Sequence, residues 1–155
     1  MEHYSVKSLQ FPKEGFSDLF ILSTNGRNQT TGAAVNDFSG GFNANSIVLT
    51  TLAVGDAVLS ALIDVVTPVT GPTGAPTGQV KTGTGAVAIT PTCAVKTAIG
   101  AVTDNTVVGS TLSTAAENLN FVTAAGGGDS AAATAGEIWV WANISRAADR
   151  KTVQA

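Results

Sequence analysis

From Ile47 onward the chain is cut into short apolar, β-branched segments, with Gly, Pro, Asn or Asp turns about every ten residues. Segments this short leave no room for a packed helix of ordinary length, and their even spacing points to an antiparallel sandwich or barrel. The last is the clearest. In "GEIWVWANISR", Ile138, Val140, Ala142 and Ile144 alternate with Trp139, Trp141, Asn143 and Ser145. Side chains of a strand point alternately to its two faces, so both Trp share one face, read as core or as a subunit interface. Upstream, "SIVLTTL" reads as a strand, and Gly55-Asp56 turns it into "AVLSALIDVVTPV". There Leu59, Ala61, Ile63 and Val65 form a uniformly apolar face, expected to meet the core. Val58, Leu62 and Val66 fall on the other face with Ser60 and Asp64. A helix over 57–66 is the competing reading; the β-branched run and Pro68 favour a strand. "QVKTG", "AVAITPT", "CAVKTAI", "TVVGSTL" and "NLNFVTA" are read as further strands, 70–78 as a Pro/Gly loop, and "AAGGGDSAAATAGE" as a mobile hairpin.

Composition narrows the function. Ala, Thr, Gly and Val supply 79 of the 155 residues, and there is one His and one Cys. A hydrolytic triad needs a His held beside a nucleophile, and the single His3 lies in an N-terminal section expected to be mobile. Zinc needs several His or Cys ligands. The acids are scattered without the spacing of a calcium loop. The run Gly126 to Gly128 lacks the Lys of a phosphate-binding loop. No catalytic residue, metal or cofactor is expected, and the chain reads as a non-enzymatic structural protein.

A net charge of -3 with scattered Lys and Arg argues against nucleic acid. Arg146, Arg150 and Lys151 read as a solvated tail, or equally as an anchor for an acidic protein surface. Asp56 and Asp64 interrupt the longest apolar stretch, so no membrane span is expected. The N-terminus carries Glu2 and no apolar segment, so no secretory signal is expected. With Cys93 the lone cysteine, synthesis in a reducing cytoplasm is expected, and Cys93 reads as a small buried hydrophobe.

One domain is expected at this length, in two sections. Residues 1–45 read as an N-terminal arm with short strands, and 46–155 as the β-sandwich body. The first section holds five of the six Phe among dense turn signals. Phe11, Phe16, Phe20, Phe38 and Phe42 are therefore candidates for contacts outside the fold, beside Trp139 and Trp141, because aromatic anchors carry much interface energy. The competing reading has the Phe residues capping one end of the core.

Three stretches carry a resemblance to a known group: "VGDAVLSALIDVVTPVTGPTGAPTGQV" (54–80), "AENLNFVTAAGGGDS" (116–130) and "ATAGEIWVWANISRAADR" (133–150). A strand after a Gly-Asp turn, a Pro/Gly loop and a closing aromatic-rich strand ending in Arg resemble small structural proteins of tailed-bacteriophage virions, of the head decoration or cement type. The resemblance implies a jelly-roll or related β-sandwich made in the bacterial host cytoplasm and placed on the capsid surface. It also implies the major capsid protein as partner and a homodimer or homotrimer on a symmetry axis. A tail, neck or fibre component and a carbohydrate-binding sandwich are the alternative readings.

Overall fold

The computed structural model describes residues 1–6, 15–28, 30–83, 87–96, 101–102, 112–128 and 131–149, with 101–102 described by backbone pairing alone. The protein is all-β, with antiparallel sheets, none of them closed. One sheet has the strand order β1-β2-β12-β6-β10: β1 is Glu2–Ser5, β2 Asp18–Ser23, β6 Ala57–Thr70, β10 Ala101–Val102 and β12 Ala135–Ser145. The second runs β5-β11-β7-β8, with β9 also paired to β7. Here β5 is Ser46–Leu52, β7 Thr77–Thr82, β8 Val87–Ala88, β9 Cys93–Ala94 and β11 Glu117–Ala124. A small hairpin of β3 (Gly26–Arg27) and β4 (Ala34–Val35) follows the Asn25 turn.

Alternation along the strands, interrupted in β5 by a register shift at Leu49, sends apolar rows into a shared cluster. Phe20 and Leu22 of β2, Ile63 and Val65 of β6, and Ile138 and Val140 of β12 meet Leu49 and Leu52 of β5, Val80 of β7, and Leu119 and Phe121 of β11. Cys93 is buried in the same cluster. The closing segment behaves as its alternation requires: Ile138, Val140, Ala142 and Ile144 face this core. The segment "TVVGSTL" lies outside the described residues except for Leu112, which bridges to Ala57.

Two expectations meet the structure here. The first is the short strand of the N-terminal section. β2 lies inside the first sheet, paired on one side to β1 and on the other to β12, from Ser23↔Glu137 to Asp18↔Ala142. Residues 18–23 are therefore a strand of the first sheet, with Phe20 and Leu22 packed in the main core and Leu19 in the cluster on the opposite face. The second is the inner face of β6. Ala61, Ile63 and Val65 point inward as expected, but Leu59 is 51% exposed and Val58 is fully buried. The register moves from Asn143↔Ser60 to Ile144↔Val58, leaving Leu59 as an extra residue. Such a bulge reverses the alternation beyond it.

The Gly-rich connection also differs from a slack hairpin. A side chain on Gly126 would run into the Ala75 carbonyl, and one on Gly128 into the Thr73 carbonyl. Two loops press backbone to backbone here, and only glycine lets them approach.

Candidate interaction surface

The face of β12 turned away from the core carries Trp139 and Trp141, with ring centroids 6.1 Å apart and planes tilted by 58°. Its neighbours bring Leu19 and Ile21 from β2 and Leu62 from β6. Tyr4, Val6 and Phe16 complete a second apolar cluster. Phe16 lies 6.3 Å from Trp141. Leu19, Leu62, Val6 and Trp141 are closed off, whereas Trp139, Ile21, Phe16 and Tyr4 stay half-buried. The polar tips of the two amphipathic rings are tied down. Trp139 Nε1 donates to Glu137 Oε1 at 2.6 Å, and the Tyr4 hydroxyl donates to Glu2 Oε2 at 2.6 Å. The Glu2 hydrogen bond, burial and the Glu2 charge together raise the Tyr4 pKa above its ordinary value. The result is a sheet with apolar clusters on both faces, of which one is only partly covered by the described residues.

Of the seven aromatic candidates, Phe16, Trp139 and Trp141 come together on this face. Phe20, Phe38 and Phe42 are corrected to core residues. Each is fully buried in the main cluster, and Phe38 stacks on Phe42 with centroids 5.6 Å apart. Phe20 packs from β2, and the turns that carry Phe38 and Phe42 fold over the core, as the competing reading had it, so these rings serve packing and offer no surface to a partner. Phe11 lies outside the described residues.

One end of this sheet is held by a chain of charges. Asp18 Oδ1 meets His3 Nε2 at 2.7 Å, and Asp18 Oδ2 accepts from the Ser17 hydroxyl at 2.6 Å. Arg146 lies 4.0 Å from Asp18 and donates to Asp56 Oδ2 at 3.2 Å and to the Thr51 carbonyl at 3.0 Å. Asp56 also accepts from the backbone N–H of Ala147 at 2.8 Å and of Ala53 at 2.9 Å. Burial pushes both carboxyls up. For Asp18, the His3 and Ser17 hydrogen bonds and the charges of His3 and Arg146 outweigh it; for Asp56, the two backbone donors and Arg146 do so. Both pKa values end below the ordinary carboxylate range. Arg146, read from sequence as part of a solvated tail, instead fastens the end of β12 to the β5–β6 corner.

A second concavity lies over β5 and the start of β11. It is an open groove of about 660 Å³ whose wall includes Ser46, Val48, Thr51, Glu117, Asn118 and Asn120. Sequence reasoning missed it. The available signal was the alternation of Asn118 and Asn120 with Leu119 and Phe121, which sets two amides on one face of β11.

Among the described residues no group of three or more His, Cys, Asp or Glu is placed to hold a metal ion, and no helix is long and apolar enough to cross a membrane. Comparison with protein-family models, with curated proteins and with solved structures finds no match to this chain.

Proposed function

We propose that this chain is a non-enzymatic jelly-roll protein of a phage virion. It acts as a decoration or cement protein that binds the outer surface of the head and bridges major capsid protein subunits. The jelly-roll assignment is supported by strand order. Count the strands β2, β5, β6, β7, β8, β10, β11 and β12 from first to eighth. The first then pairs with the last, the second with the seventh, the third with the sixth and the fourth with the fifth. This is the pairing of a long hairpin rolled up into two facing sheets.

The observation that carries the functional reading is the partly open aromatic face of Trp139, Ile21, Phe16 and Tyr4, lying on a sheet whose other side already packs the core. A second apolar face is a surface for holding something. Large aromatics at such a face bury much area and are enriched in the residues that dominate binding. Repetition around a shell multiplies modest contacts. The chain would act as a homodimer or homotrimer, without nucleic acid or membrane contact, at the capsid surface.

Co-sedimentation of the purified protein with empty heads, and separately with tails, of the virus that encodes it tests the reading. Binding to heads that is lost on Trp139→Ser, with the circular dichroism spectrum unchanged, is the expected result. Binding to tails alone would move the protein to the tail, neck or fibre, and binding to neither would end the proposal.

A further inference from the structure

We infer that the groove over β5 and β11 is a binding site for a neutral saccharide. Its floor contains an unmet demand. Asn120 is 5% exposed and donates through Nδ2 to the Gly83 carbonyl at 2.7 Å, which fixes the orientation of the amide. Its Oδ1 is buried and has no hydrogen-bond partner among the described residues. A buried acceptor left empty costs about 1–3 kcal/mol, so native structures rarely carry one without a purpose. Asn120 also stands opposite Val48 in the ladder, where a register shift lets β5 bulge.

The rest of the wall specifies the kind of donor. The side chains of Ser46, Thr51, Glu117 and Asn118 make no hydrogen bond to any described residue. Two hydroxyls, two amides and one carboxylate are groups that accept from and donate to a ligand rich in hydroxyls. Glu117 can accept from two adjacent hydroxyls at once. The described lining residues include no cation; Arg146, which donates to the Thr51 carbonyl, is committed to Asp56, and Lys81 stands opposite Asn120 one strand away, so the acidic glycans in the test decide whether the site also takes an anion. Val48, 46% exposed, gives the apolar contact that the C–H face of a sugar ring needs. A Cβ on Gly83 would sit 3.0 Å from Glu117 Oε2, so glycine there leaves room for the carboxylate. The volume falls within the roughly 300–1,000 Å³ of small-molecule sites. The site is on the second sheet, independent of the aromatic face of the first.

The test uses the whole chain on an array of neutral glycans ending in glucose, galactose or N-acetylglucosamine, with sialylated and sulfated glycans beside them. The strongest neutral ligand is then titrated by calorimetry and by NMR. Neutral glycans are expected to bind and acidic ones not to, with the Asn120 side-chain amide signals shifting on titration. Glu117→Gln and Asn118→Ala should each weaken binding about tenfold, equivalent to about 1.4 kcal/mol, at unchanged melting temperature. Trp139→Ser should bind sugar as the parent does. The inference is overturned if no neutral glycan binds, if the two groove variants bind as tightly as the parent, or if sulfated glycans alone bind. It is equally overturned if a free peptide of the β5 sequence, "SIVLTTL", binds in place of any sugar, since that would make the groove a site of strand addition.

Discussion

Asp56 shows how much a single side chain organises. Its carboxylate gathers two backbone N–H groups and Arg146, joining the β5–β6 turn to the residues just after β12. Because the folded-state pKa values of Asp18 and Asp56 are depressed, the unfolded chain takes up protons first as the solution is acidified. Their contribution to stability is therefore complete above about pH 5 and is lost as pH falls through the folded pKa values, below about 4. Melting temperature measured by circular dichroism should be flat at mildly acidic pH and drop below that range. In Asp56→Asn the drop should be shallower and the neutral-pH value lower. At the same scale, Phe38→Ala and Phe42→Ala should each cost about 3–5 kcal/mol in urea unfolding, as emptied core positions do. A loss below about 1 kcal/mol would show that these rings are not core. The sequence left their burial as one of two open readings. A ring set among Gly, Asn and Ser carries the local pattern of an exposed loop, and only the fold of that loop over the core distinguishes the two.

At the scale of elements, a strand was legible wherever its alternation was unbroken. β12 keeps strict alternation through Ile138 to Ile144, and each side chain faces as the pattern dictates. β6 does not, because its pairing with β12 shifts register, and a bulge leaves no mark in a run of Val, Leu and Ala. The two adjacent residues provide a direct check. Leu59→Thr should change stability by less than about 0.5 kcal/mol, as for an exposed site. Val58→Thr, which buries a hydroxyl in the core, should cost about 1–3 kcal/mol. Unbroken alternation predicts the reverse order. The Gly126 to Gly128 segment hid its role for a similar reason: glycines that give slack and glycines that allow close contact have the same letters. The groove was hidden because its parts are ordinary, with two Asn on a strand becoming a site only when β5 and Gly83 complete the wall.

At the scale of the molecule, the all-β class followed from short segments and turns alone. The place of residues 18–23 inside a sheet did not, because pairing β2 with β12 joins segments more than a hundred residues apart in the chain. The partly covered aromatic face leads to a prediction about assembly. Sedimentation velocity under reducing conditions at tens of micromolar should show a dimer or trimer, and Trp139→Ser should shift it toward monomer. A parent that is strictly monomeric would remove self-association in free solution from the proposal, leaving assembly on the shell as the form to test.

The position of β12 between β2 and β6 has a consequence for synthesis. Ribosomes deliver the chain from one end, so β2 and β6 emerge early, each with an edge waiting for a strand not yet translated. Until β12 has left the exit tunnel, the first sheet lacks its central member, and two edges of unpaired backbone N–H and C=O groups face the crowded cell. Completion of that sheet therefore waits for β12. A ribosome stalled before Trp139 holds a nascent chain suited to chaperone capture, and a chain released there is one that proteases would clear.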